Sequence, residues 1–505
     1  MELNLQVWRN ERTFYSGKCA SCGEGMVSLF SANSPLKIWC NKCWWSDKFN
    51  AVDYGRDFDF TRSFFDQFWE LMNDTPIGQC FIASSENSDY SNYAVGNKNC
   101  YMASASDYNQ DSFYTDNSNY NRDCCDVSMV NKSELCYESV DLVNSYTCLW
   151  SQNLTNCNFC FACTDLIGCA NCIGCVGLRN AEYFIFNKKL TKEEYENILR
   201  NMALNTHSGA ALVRSEFNKF RLSQPRKFSN NLSAENCTGN YIVNSKNCKN
   251  CFDIQECQDC EDLIFGYKSK NCKKVYGTSE LELAYLSVAS VGSYNVNFSC
   301  LVWPGSSDLY YTFCARTAKN CFGCVSPHQN EYCILNKQYS AEQYKETFEK
   351  IKRHMERTGE WGRFFPMKYS PWSYNETVAQ DFYPRTREEA LKLGARWEES
   401  MPGTFGKGTI KPEFVSDNIN EIFECEICSR NYKIISQEFA FYKKLGIPLP
   451  RKCPPCRYRA RMNLRTPREL HERKCMKEGC ENKILTAYSP ERPEKILCET
   501  CYQKL

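Results

Sequence analysis

The chain has 505 residues, 43% hydrophobic and 24% charged, enough to bury a sizeable core in more than one domain and too apolar for a disordered tail. Lys plus Arg (61) and Asp plus Glu (60) nearly cancel, so affinity for a polyanion has to come from a local patch. Thirty-five cysteines against four histidines make thiol assignment the first question and leave little room for histidine-based catalysis.

The N-terminus, MELNLQVWRNERTF, mixes charge with aromatic residues where a signal peptide requires an apolar run, and the expectation is a cytoplasmic protein. In a reducing compartment the thiols are expected to be metal ligands or small core residues rather than disulfides. Cys19, Cys22, Cys40 and Cys43 have zinc-ribbon spacing, with Gly23 after the first pair, so residues 1–50 are expected to form a zinc ribbon. Residues 51–84 follow as a helical cap. In them FDFTRSFFDQFWELMND reads as an amphipathic helix starting near Thr61, placed to plug the open end of the array that comes next.

From Ser85 the sequence repeats with a period of twelve. Cys100, Cys124, Cys136, Cys148, Cys160 and Cys172 occupy the fourth place of successive units, with Ser88 and Ser112 in the two remaining slots. The seventh place is small in most units, and the tenth runs from Ala94, Ser106 and Ser118 to Val130 and Leu142, Leu154, Leu166 and Leu178. Small residues at fixed places in so short a unit predict a β-solenoid, each unit one coil stacked about 4.8 Å from the next. Twelve residues close a perimeter of roughly 40 Å, so the interior admits Cys, Ser, Ala or Val, and cysteine serves as a compact buried side chain. A column of thiols at coil spacing fits a zinc tetrahedron poorly, since its sulfurs lie about 3.8 Å apart. The dense patch Cys157, Cys160, Cys163, Cys169, Cys172 and Cys175 is where extra metal would be found if this reading failed.

The fifth place carries Tyr101, Phe113, Tyr137, Leu149, Phe161 and Ile173, either an outward ladder for a partner or, as favoured here, a column covered by another part of the chain. A second array repeats the first at a shift of 148 to 149 residues: Cys124 maps to Cys272, Glu134 and Leu135 to Glu282 and Leu283, and Cys172 and Cys175 to Cys321 and Cys324. Its fifth column holds Lys249, Glu261, Lys273 and Asn297. Each array ends in the same phrase, EYFIFNKKLTKEEY and EYCILNKQYSAEQY, a strand followed by a helix with Thr191/Glu194 or Ser340/Gln343 as the capping pair. The first solenoid with its cap is assigned to 85–232, the second to 233–358, and a helical or irregular linker to 359–420.

Residues 421–466 carry Cys425, Cys428, Cys453 and Cys456, and residues 467–505 carry Cys475, Cys480, Cys498 and Cys501, with His471 as a rival ligand. The fold class is therefore mainly β: two tandem β-solenoids of twelve-residue coils with helical caps, flanked by small zinc-ribbon or treble-clef-like modules holding three zinc ions. Cys425 to Arg457, with Glu438, Phe441 and Tyr442 between the knuckles and Pro-Arg-Lys before the second, resembles the probable zinc-ribbon family. Together with SYNETVAQDFYPRTREEALKLG and the closing phrases, nearly the whole chain resembles a family of zinc-ribbon proteins from uncultured, small-genome bacteria. That resemblance implies architecture and no activity.

From Arg451 to Lys474 nine basic residues face two acidic ones. Arg451, Lys452, Arg457, Arg459, Arg461, Arg465 and Arg468 are the candidate phosphate contacts of a segment that binds RNA or the ribosome, against the alternative of a solvated charge run. No Rossmann fingerprint, P-loop or nucleophile elbow is present, so a non-enzymatic zinc-binding scaffold is expected. The alternatives are a protein-interaction adaptor without nucleic acid, using the first solenoid, and a metal- or thiol-dependent enzyme using the cysteine-rich array.

Overall fold

A computed structural model describes residues 3–269, 276–279, 282–285, 287–408 and 421–504. Cys272, Lys273 and the end of the expected linker, 409–420, lie outside the described residues, as do the side chains of Glu282 and Leu283. Strand residues outnumber helical ones, and no described helix is long and apolar enough to cross a membrane. The chain forms two compact units, each built from three separate stretches: Met1–Gln79, Lys227–Met401 and Pro467–Pro490 in one, Cys80–Arg226, Pro402–Thr466 and Glu491–Leu505 in the other.

In the unit that contains the first array, strands pair in parallel at a constant step of twelve. Cys148 lies beside Cys160 and Cys160 beside Cys172, while Leu142, Leu154 and Leu166 form a second ladder. Every third residue from Tyr93 to Phe186 has positive φ, giving four left-handed corners in each twelve-residue rung. Asn, Asp and Gly hold many of these corners because they tolerate this conformation, but Tyr108, Met129 and Phe159 hold others, at a cost of roughly 1 kcal/mol or more each.

The corners sort the residues into triplets: one inward, one outward, one at the bend. Outward and corner N–H groups join the backbone ladder, as in Lys98 N to Asn109 O and Asn99 N to Glu86 O, at 2.9 and 3.0 Å. Inward N–H groups instead use the inward side chain one rung before them where that side chain is a Ser, Asn or Cys able to accept. Cys100 N donates to Ser88 Oγ at 3.0 Å, Cys124 N to Ser112 Oγ at 3.2 Å, Asn109 N to Asn97 Oδ1 at 2.8 Å and Cys175 N to Cys163 Sγ at 3.4 Å. Serine and cysteine interchange at the fourth place because both also donate to the carbonyl two residues back, as Ser112 Oγ does to Gln110 O at 2.9 Å and Cys124 Sγ to Arg122 O at 3.4 Å. The interior is therefore chosen for small volume and for a donor and acceptor on a short stem.

The fifth-place column is covered, as expected. Phe113, Cys125 and Tyr137 pack with Phe423, Tyr432, Phe441 and Tyr442 of the 421–466 stretch. Phe161, Ile173 and Ile185 pack with Tyr195, Ala210, Val213 and Phe217 from the helices Lys192–Asn201 and His207–Ser223. The first of these helices opens with the Thr191/Glu194 capping box read from sequence.

In the other unit the second array continues the twelve-residue step, with one-residue irregularities. Leu309 pairs with Cys321 and Cys321 with Cys333, whereas Tyr294 pairs with Ser307, a step of thirteen, and Leu232 with Val243, a step of eleven. Ser340 and Gln343 form the expected capping box on the helix Ala341–Thr358. The helix Phe64–Asp74, expected to plug the first array, instead packs on the second. Phe64 meets Tyr311 and Phe322, and Phe68 stacks on Phe365 at 4.5 Å. At the places of Tyr311 and Phe322, 149 residues earlier, the first array has Ala162 and Ile173 instead.

Candidate metal centres and the basic segment

Three groups of four cysteines, and no interior set of thiols among the described residues, converge closely enough to share an ion: Cys19, Cys22, Cys40 and Cys43; Cys425, Cys428, Cys453 and Cys456; Cys475, Cys480, Cys498 and Cys501. His471 lies in the strand His471–Lys474 and outside the third group. All three are built alike. A two-stranded hairpin turns at the first knuckle, and a short helix begins at the second with a cysteine as its N-cap: Cys40, Cys453 or Cys498. Gly23 (φ 78°) and Gly479 (φ 73°) supply left-handed turns at the first and third hairpins.

The donor set fits a tetrahedral soft metal. Cys22 and Cys40 sulfurs lie 3.9 Å apart, Cys428 and Cys453 3.6 Å, and Cys428 and Cys456 3.5 Å, against the edge of about 3.8 Å in a zinc–thiolate tetrahedron. Burial opposes ionisation of Cys19, but N–H groups of Cys40, Cys22 and Ser21 outweigh it and bring the thiol down to about 6. Cys425, likewise buried and held by the N–H groups of Cys453, Ile427 and Cys428, falls to about 7.

The interior thiols shift in both directions. Burial pushes Cys100 up to about 11, whereas hydrogen bonds from Cys157 and Cys172 bring Cys169 down to about 3, and hydrogen bonds from Cys163 and Cys172 bring Cys175 down to about 4. In the dense patch Cys157, Cys163, Cys169 and Cys175 each direct Sγ to the carbonyl two residues back, at 3.3 to 3.4 Å.

A further buried set, Cys125, Asp126 and Glu438, is an ion-pair cluster. Arg457 Nη1 lies 2.7 Å from Asp126 and 3.0 Å from Glu438, and Arg461 Nη1 lies 2.8 Å from Asp126. Tyr442 donates to Glu438 at 2.6 Å, and Arg461 Nε donates to Ser128 at 3.3 Å. Arg465 pairs with Asp141 at 3.2 Å, and Arg468 with Asp253 at 3.1 Å, its guanidinium held against Phe265 and Phe382.

This corrects the expected phosphate-binding set. The side chains of Arg457, Arg461, Arg465 and Arg468 are at least nine-tenths buried and already matched to carboxylates. Arg459 is exposed, and Arg451 and Lys452 are half-buried. Arg457, Arg461 and Arg465 recur every four residues, the spacing of one helical face, and Arg459 lies off it; that periodicity was the available signal. Their partners Asp126 and Asp141 sit at array corners, which the twelve-residue lattice alone does not reveal. No family model matches the chain, and no curated protein matches it.

Proposed function

We propose that the protein is a non-enzymatic scaffold in which two β-solenoids are held by three zinc-bound modules and present the same apolar corner to a polypeptide partner. The observation that carries this reading is a repeated exposure. Val143 and Tyr146 are 38% exposed in the first array, and Val291 and Tyr294, 148 residues later, are 43% and 48% exposed in the second. Phe159 and Ile167 extend the first corner, at 51% and 39% exposed. The fifth-place column, the earlier candidate for a partner, is core. Four valines and tyrosines left open at matching places give one partner chemistry two equivalent footholds.

The test places a photo-crosslinking residue at Tyr146 and, separately, at Tyr294. The expected result is one and the same polypeptide at both, lost when the neighbouring Val143 or Val291 is changed to Ser. Different products, or none, would overturn it. Metal analysis of protein purified without added zinc should give three zinc ions per chain; five or more would mean that interior thiols are ligands.

Binding of RNA or the ribosome is a second reading, now resting on Arg451, Lys452 and Arg459 beside the Cys425 module. Retention on immobilised RNA should fall steeply as salt rises and weaken in Arg459→Ala. Retention insensitive to salt would remove it.

A further inference from the structure

The second array is closed at its C-terminal end by another part of the chain. The single 3-10 turn Ala51–Tyr54 lies over the last rung, where Val52 packs against the interior cluster that contains Ala318, Cys321 and Cys333. The residues after it cross the closing hairpin. Arg56 N donates to Leu335 O at 3.1 Å, Lys337 pairs with Asp57 at 2.6 Å, and Tyr339 donates to the same carboxylate at 3.3 Å. Glycine is required at the crossing, since a Cβ on Gly55 would lie 2.7 Å from Lys337 Cα.

The first array ends in the same hairpin without that cover. Val325 N donates to Asn336 Oδ1 and, 149 residues earlier, Val176 N to Asn187 Oδ1, each at 2.9 Å. Tyr339 N to Tyr332 O and Leu190 N to Tyr183 O likewise agree, at 3.0 Å each. What differs is exposure. Cys333, Leu335 and Asn336 are buried, whereas Phe184, Phe186 and Asn187 are half-buried, and Lys188 is exposed where Lys337 is half-buried. An open cavity of about 350 Å³ lies at this end, lined among others by Arg179, Ala181, Phe184, Lys189 and Leu190.

We infer that the open end of the first array is a docking site for a polypeptide partner carrying the kind of segment that closes the second: an aliphatic residue on a tight turn, a glycine three places on, and a carboxylate two places after that. The aliphatic side chain packs on Phe184 and Leu190. A backbone N–H reaches Phe186 O at the place of Leu335 O, and the carboxylate pairs with Lys188 at the place of Lys337. A stacked array leaves the apolar face of its last rung to be covered, and the second array shows which chemistry covers it. Ala181 for Asn330 and Leu190 for Tyr339 remove the polar contacts made there to Asn50 and Asp57, while Phe184 for Cys333 adds apolar surface. Affinity therefore rests more on the aliphatic residue than on the exposed ion pair. The seat is defined by the place of residues 50–57 on the second array and does not depend on the exposed corner of Val143 and Tyr146.

A fluorescently labelled peptide of sequence Asn-Ala-Val-Asp-Tyr-Gly-Arg-Asp is titrated with full-length protein and followed by anisotropy. The expected result is saturable binding, weakened about tenfold or more when the peptide's valine is replaced by aspartate and about threefold or more in the protein variant Lys188→Glu. Lys337→Glu is the control and should leave the affinity unchanged, because that lysine belongs to the seat already filled. In wild-type protein the peptide should protect Phe184 and Leu190 from hydroxyl-radical labelling, which needs no variant. Absence of saturable binding, equal affinity for the aspartate peptide, a loss in Lys337→Glu rather than in Lys188→Glu, or unprotected Phe184 and Leu190 would each overturn the inference.

Discussion

Ser112 shows what a single side chain contributes inside the array. Its Oγ accepts from Cys124 N and donates to Gln110 O, so Ser112→Ala leaves a buried N–H without an acceptor and should cost about 1–3 kcal/mol. Ser112→Cys retains donor and acceptor on the same short stem and should cost less than half as much. Urea unfolding of both variants tests this; equal losses would mean that volume alone governs the column. The sequence made the inward places legible, since only residues that fit a narrow interior recur there. It did not show why Ser, Asn and Cys are used where Ala would also fit. That reason is the orphan inward N–H, which follows from a left-handed corner at every third residue, and the corner residues are too varied, from Asn99 to Tyr108 to Phe159, to announce it.

At the scale of elements, the two capped closing helices were read correctly, and the docking of the helix Phe64–Asp74 was not. The boxes at Thr191 and Ser340 are local motifs, complete within four residues, whereas the seat of the helix Phe64–Asp74 depends on rings more than two hundred residues away. That helix has an unusual cap supplied from a distant stretch: Glu360 accepts from Ser63 Oγ at 2.7 Å, Phe64 N at 3.2 Å and Phe65 N at 3.1 Å. Burial opposes ionisation of Glu360, but these bonds and one from Thr358 outweigh it and hold its pKa below the usual value. A group depressed in the folded state binds fewer protons there than in the unfolded chain, so its stabilisation is complete above the unfolded value, near 4.5, and is lost as pH falls through the depressed one. Glu360→Gln should therefore lower the melting temperature at pH 7 and flatten its decline as the pH falls below about 4.5. A parallel decline in wild type and variant would show that other carboxylates control acid unfolding.

Across the whole molecule, the consecutive modules visible in the sequence do not coincide with the compact units, because a distant stretch completes each one. Periodicity and cysteine spacing report on neighbours along the chain, so arrays and knuckles were legible, while the cover over the fifth-place column depends on matching surfaces in three dimensions. That cover is specific: Phe441 and Tyr442 lie on Tyr137, and Arg457 enters the buried Asp126/Glu438 pair. A fragment of residues 80–226 produced alone should thus expose Phe113 and Tyr137, bind a hydrophobic dye and aggregate. Supplied with residues 402–466 and zinc, it should form a soluble complex in which the dye signal is lost. Arg457→Met in the second fragment should weaken that complex by about 3–5 kcal/mol, since it leaves two buried carboxylates with Arg461 as their remaining cation. Zinc enters the same equilibrium, because the Cys453 knuckle starts the helix that carries Arg457 and Arg461. Chelation should then dissociate the fragments while leaving the parallel ladder of the array, whose thiols bond to carbonyls, with its β circular-dichroism signal intact. Loss of that signal on chelation would mean that the interior sulfurs had been holding metal.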